Sequence, residues 1–157
     1  MDLFCCLIYI ASVGLISFAL GRLIPRELLD ENSFPFRSFG FESGGRIYEK
    51  LGIKSWMNRL PDMSRMLPQI MPTKKLDGKM TEKLPVMIKE TCIAELVHIL
   101  LIPAGFGCLF IWRGTGGMIF TAAYEIFNFL FILIQRYTRP RLIGLYRRVL
   151  AKEACAN

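Results

Sequence analysis

The chain has 157 residues, the length of one ordinary domain, yet 53% of them are hydrophobic and the mean hydropathy is +0.38, which is high for a soluble domain. Its 20 Lys and Arg against 13 Asp and Glu leave a net charge of +7, a balance that would suggest nucleic acid if the protein were soluble. The grouping of residues excludes a soluble core and makes nucleic acid a poor partner: the pattern predicts an all-α integral membrane protein with about three transmembrane helices, a single membrane domain over 1–157.

The first span, over about 3–22, includes Leu3 to Gly21 without a charge. A hydrocarbon layer of about 30 Å needs roughly 20 helical residues. The segment starts with Asp2 rather than a basic run, so it reads as an uncleaved anchor and not as a secretory signal. Ser12, Gly14, Ser17 and Gly21 recur every three to four residues, a small-residue face suited to helix packing or self-association.

Residues 23–90 form a poor soluble domain. Six prolines (Pro25, Pro35, Pro61, Pro68, Pro72 and Pro85) cut them into pieces that Phe34, Phe36, Phe39, Phe41, Trp56 and the methionines from Met57 to Met87 keep apolar. Such pieces suit a headgroup-level collar or a lid over a site. Ile47, Leu51, Lys54 and Trp56 to Leu60 predict one short amphipathic helix and 64–71 another, while 42–45 and 76–79 read as turns.

The second span covers about 92–112, and its polar residues fall at one end. Glu90, Thr91, Ala94, Glu95 and His98, the only histidine, recur at helical spacing and share a face. Seven residues from Thr91 to His98 make about 10 Å of helix. An ionisable side chain at that depth must face protein or a wet cavity. A carboxylate on one ring nitrogen would leave the other free to take a proton, so Glu95 and His98 are candidates for base chemistry; helix packing is the alternative.

A turn at 112–117 then leads to the third span, about 116–135, with Glu125 and Asn128 three apart. Asn128 stands as far from Gln135 as His98 does from Thr91, so on antiparallel helices Asn128 and His98 are expected opposite each other. Glu125, a turn deeper, is expected to be paired or protonated. The stretch from Gln135 to Arg141, QRYTRPR, reads as either a leaflet anchor or a phosphate cradle of planar donors. The tail, 136–157, continues as a basic amphipathic helix at the membrane surface.

Thirteen basic residues lie between Arg22 and Lys89, six between Arg136 and Lys152, and Arg113 alone between the second and third spans. Three crossings put 23–90 and 136–157 on one side, which the positive-inside tendency makes cytoplasmic, with the N-terminus outside. Cys5, Cys6, Cys92, Cys108 and Cys155 lack the paired spacing of a metal or redox site, so no metal is expected. No Gly-rich nucleotide loop occurs either.

Two phrases carry a family likeness. KETCIAELVHILLIP, with Glu90, Thr91, Ala94, Glu95, Leu96 and His98, and NFLFILIQRYTRPRLIGL, with Asn128, Gln135, Arg136, Tyr137, Arg139, Pro140, Arg141 and Leu142, resemble the signature stretches of the glycosyl-4,4'-diaponeurosporenoate acyltransferase family, small bacterial membrane proteins tied to the last acylation of staphyloxanthin-type carotenoids. Arg22 and Pro25, then Phe39, Phe41, Glu42, Gly44 and Trp56, resemble the rest. The likeness implies fatty acyl transfer to a hydroxyl of a glycolipid or isoprenoid glycoside in the bacterial cell membrane, with acyl-CoA as cosubstrate and no tightly bound cofactor.

The expected site follows. His98 would be the general base, Glu95 its holder and Asn128 an oxyanion donor. Gln135, Arg136, Tyr137, Arg139 and Arg141 would bind the donor's phosphates, and Glu90, Glu125 and Trp56 would meet substrate. Arg139, at the water boundary, is expected to be dispensable for folding. A membrane scaffold whose buried polar residues only join helices, or another small transferase or reductase with a nucleotide-type cosubstrate, is the alternative. Three spans are few to enclose donor and acceptor, so self-association into a homo-oligomer is also expected.

Overall fold

A computed structural model describes residues 1–60 and 80–156; the helix expected over 64–71 and the turn at 76–79 lie outside them. Among the described residues there is no strand. The helices are α1 (Asp2–Leu23), α2 (Arg46–Lys50), α3 (Ile53–Trp56), α4 (Met80–Gly105), α5 (Cys108–Ile111) and α6 (Thr115–Ala156), with short 3-10 turns at Arg26–Leu28, Gly40–Gly45 and Met57–Arg59. Three helical stretches are long and apolar enough to cross a membrane: Asp2–Leu23, Met80–Ile111 and Thr115–Cys155.

Local chemistry sets the ends. Ile24, which precedes Pro25, is extended (ψ 119°), because a residue before proline disfavours the helical region, and α1 stops there. Gly114 (φ 102°) turns the chain into α6. The 42 residues of α6 make a rod of about 63 Å, roughly twice the hydrocarbon thickness, so only part of it can lie among acyl chains. Pro140 sits inside this helix. Its ring nitrogen has no hydrogen to give the Arg136 carbonyl, one turn earlier, yet the helix continues to its end.

The chain divides into two compact units: 1–30 with 92–135, and 31–91 with 136–157. In the first, small residues let helices approach. A Cβ at Gly21 would stand 3.0 Å from Val97 Cγ2, and one at Gly107 or Gly105 would run into the Tyr9 ring or into Tyr124 and Glu125. Tyr9 Oη donates to the Ala104 carbonyl at 2.9 Å. The small-residue face expected on α1 is used only in part: Gly21 is buried, while Gly14 has no described atom within 4 Å of its Cβ position and Ser12 bonds back to Ile8 of its own helix. Leu7, Ile8, Leu15 and Ile16 are exposed, as lipid-facing side chains must be to satisfy an apolar solvent.

In the second unit the apolar segment before α2 is tied to α6. Gly45 (φ 87°) lies so close to the α6 backbone that a Cβ would be 3.4 Å from the Tyr137 carbonyl oxygen. The amphipathic helix expected over 47–60 is broken by Gly52 (φ 65°) into α2, α3 and a 3-10 turn. Its inward residues are Tyr48 and Ile53, whereas Ile47 and Leu51, expected on the apolar face, are exposed. Gly52 shifts the helical phase between the two pieces, so one periodic stripe cannot run through both.

Candidate functional site

In the first unit, α4 and α6 bring together two residues that sequence spacing had placed opposite one another. His98 Nδ1 and Asn128 Oδ1 are 3.0 Å apart, and the imidazole stacks on Phe131 with ring centroids 4.7 Å apart. Asn128 Nδ2 donates to the Tyr124 carbonyl, at 3.1 Å. A carbonyl can only accept, so the amide nitrogen must point to Tyr124 and the amide oxygen to the ring. The ring nitrogen facing that oxygen must then carry the hydrogen, which leaves Nε2 with its lone pair. A neutral amide thereby sets the tautomer of the only histidine.

Glu95 is fully buried, but the ring is held by Asn128 and not, as the spacing predicted, by Glu95. Residues three apart share a face, but their side chains need not touch: here the partner across the helix pair sits at bonding distance. Glu125 points its carboxylate at Gly105. Neither of its oxygens has a partner among the described residues, and the same is true of the Thr121 hydroxyl, one turn away on the same helix. The pairing expected for Glu125 is therefore not made within the described residues.

The second unit holds the arginines. Arg139 is 2% exposed. Its Nε donates to Thr91 Oγ1 at 2.9 Å, Nη1 to the Phe36 carbonyl at 2.6 Å and Nη2 to the Thr91 carbonyl at 3.1 Å. The expectation of a water-facing Arg139 is thus overturned: the fork is wrapped in protein carbonyls and a hydroxyl. Arg136 donates through Nε to Glu42 Oε1 (2.6 Å) and through its terminal nitrogens to the Pro35 and Arg37 carbonyls, and lies over the Phe39 ring. Arg141 bonds the Tyr137 carbonyl and Glu49 Oε1 and stacks on the buried Tyr137 ring, 3.5 Å from its centroid.

Glu42 is the residue that spacing missed. Sequence put it in a turn, where it is, but it is 1% exposed and also accepts from Tyr48 Oη at 2.9 Å and from the Phe39 amide. Burial, then the Glu42 hydrogen bond, push the Tyr48 phenol up to about 12. A signal was present: a lone carboxylate within a Phe-rich run needs a cation, and the Arg cluster is the obvious supply. Glu49, exposed, is lowered below the usual carboxylate value by hydrogen bonds from Lys54 and Arg141. Of the remaining expected residues, Gln135 and Glu90 are half-buried. Trp56 spends its indole N–H on the Leu51 carbonyl, closing its own turn.

A family model described as glycosyl-4,4'-diaponeurosporenoate acyltransferase matches residues 31–148. The chain belongs to that family. Proteins of that name from Staphylococcus aureus strains N315 and USA300 are each 30% identical to it over 148 residues, covering 92% of this chain and 87% of theirs; that of bovine strain RF122 is 29% identical over the same length. No solved structure matches. Membership makes this family member an enzyme, an O-acyltransferase, rather than a non-catalytic scaffold.

Proposed function

We propose that this acyltransferase moves a fatty acyl group from a thioester donor such as acyl-CoA to a hydroxyl of a glycolipid or isoprenoid glycoside, its relatives being named for glycosyl-4,4'-diaponeurosporenoate. The observation that carries the reading is the tautomer of His98, fixed by Asn128 and through it by the Tyr124 carbonyl. His98 Nε2 takes the acceptor's hydroxyl proton as the oxygen attacks the thioester carbon. The C–S bond then breaks, and the leaving thiolate takes from the imidazolium the proton that the hydroxyl gave up. Asn128 is the positioning residue, and its second Nδ2 hydrogen remains for the developing oxyanion. Glu125 and Thr121 offer unmet acceptor atoms to hydroxyl groups of the substrate.

Single-turnover acyl transfer by the detergent-solubilised protein tests this. Loss of a general base costs about 10² to 10⁴ in rate, roughly 3 to 5 kcal/mol of transition-state stabilisation, so His98→Ala should fall that far while remaining folded. Asn128→Leu should lose rate as well but respond to a small exogenous imidazole less than His98→Ala does. A His98→Ala rate within about threefold of wild type would return the histidine to helix packing.

The membrane placement extends to orientation: N-terminus outside and C-terminus cytoplasmic in the bacterial cell membrane, supported by the 13, 1 and 6 distribution of basic residues. In a cysteine-free background, Thr115→Cys should react with an impermeant maleimide from outside, and Lys54→Cys and Lys152→Cys only after the membrane is opened. Labelling of 54 and 115 from the same side would remove the three-span topology.

A further inference from the structure

Arg136 and Arg139 donate from all three nitrogens to protein acceptors, and Arg141 is shared between Glu49 and the Tyr137 carbonyl, so a phosphate-bearing donor is better served by other cations. A cleft of about 340 Å³ in the second unit supplies them. Its lining includes Arg37 and Arg147, both exposed, together with Asn32 and Ser38. The one carboxylate in its lining, Glu31, is ion-paired with Lys89, which offsets its repulsion for an anion. Phe36, Pro140 and Ile143 give the cleft an apolar side.

Gly144 is part of the lining, and neither helix propensity, backbone conformation nor packing calls for a glycine there. It is in the interior of α6, where glycine is a poorer helix former than alanine. It is not among the residues of positive φ, so the backbone does not require it. No described atom lies within 4 Å of where its Cβ would be, so packing does not require it either. What a missing side chain leaves at this point is room for something in the cleft to approach the helix.

We propose that this cleft binds the phosphate-bearing end of the acyl donor, the diphosphate or phosphorylated ribose of a nucleotide-type carrier, with Arg37 and Arg147 as the planar charged groups, Asn32 and Ser38 as neutral donors and the bare Gly144 leaving room beside the helix. The volume lies at the lower end of small-molecule sites, right for a phosphorylated fragment and too small for a whole acyl chain. Guanidinium pairs are suited to this task because each presents two parallel N–H groups to a phosphate. The choice of carrier rests on the donor reading above; a phospholipid headgroup would present the same phosphate chemistry.

The test measures binding to the full-length, detergent-solubilised protein by isothermal titration with two probes, coenzyme A and dihexanoyl phosphatidylglycerol. Wild type should bind at least one of them, and the Arg37→Ala/Arg147→Ala double variant and Gly144→Leu, which adds a side chain to the lining, should each weaken that binding by about tenfold or more. Arg148→Ala, an exposed neighbour outside the cleft, should bind as wild type does. Binding of coenzyme A identifies a nucleotide carrier, and binding of the lipid alone moves the same cleft to a headgroup. Equal affinity in wild type and cleft variants, or no binding of either probe by wild type, overturns the site. Acyl transfer from acyl-CoA by wild type, measured separately, reports on the donor reading, so an active enzyme with indifferent cleft variants would sink the cleft alone.

Discussion

Replacing Arg139 by alanine should unfold this protein more readily, not merely weaken a ligand. The guanidinium is 2% exposed and donates from all three nitrogens, to Thr91 Oγ1, the Thr91 carbonyl and the Phe36 carbonyl. A hydrogen bond from a charged donor contributes about 1.5 to 3 kcal/mol, and each buried carbonyl left bare costs about 1 to 3 kcal/mol, though such terms do not add. The substitution also opens a cavity where Arg139 lay near the Phe36 ring, 5.4 Å from its centroid. A loss of about 3 to 5 kcal/mol is expected, a large share of the 5 to 15 kcal/mol typical of a whole domain. Arg139→Lys should recover less than half of it, since one ammonium on a flexible stem cannot reach three acceptors held for a planar fork. Thermal melting in detergent, followed by the surviving monodisperse fraction on size exclusion, is the assay, with exposed Arg148→Ala as the reference that should stay within about 0.5 kcal/mol of wild type. If Arg139→Ala melted with Arg148→Ala and lost only donor binding, the bonds to Thr91 and Phe36 would carry no stability and the residue would belong to the ligand.

Two further outcomes follow from the same packing. The Tyr48 phenol ionises at about 12 rather than its ordinary 10, because burial and then the bond to Glu42 both favour the protonated form; its contribution to stability is therefore complete below pH 10 and is lost as pH rises toward 12, and Tyr48→Phe should abolish that late step in ultraviolet absorbance while costing about 1 kcal/mol. A tyrosine titration in the folded protein that ended by pH 10.5 in wild type would refute it (~1 unit is the spread for ordinary tyrosines). Gly105→Ala should destabilise by about 1 to 3 kcal/mol, because its Cβ would enter space held by Glu125 and Tyr124, whereas Gly14→Ala, where nothing lies within 4 Å, should be neutral or slightly stabilising. Equal melting temperatures for the two variants would mean that α4 and α6 do not approach as closely as described.

Much of this was legible from residue order. Three largely apolar stretches of spanning length, the second and third with a single acidic residue each, require helices, because in lipid every backbone polar group must be satisfied within its own segment, and that requirement depends on composition alone. The facing of His98 and Asn128 was likewise accessible, since antiparallel helices of fixed rise make depth a matter of counting residues. Counting did not reveal which neighbour the ring would choose. Glu95 shares its face, but bonding depends on side-chain direction and on the distance across the helix pair, and these placed Asn128 at 3.0 Å. The arginines show the same division. Sequence could locate three guanidinium groups at a span end, but whether they met water, phosphate or protein depended on where the Phe-rich segment folded back. Its carbonyls at Pro35, Phe36 and Arg37, the buried Glu42 and Thr91 on α4 took up the donors of Arg136 and Arg139. Periodicity records which face of a helix is polar; only the tertiary structure decides what that face is polar toward, because the partners come from 48 to 103 residues away along the chain.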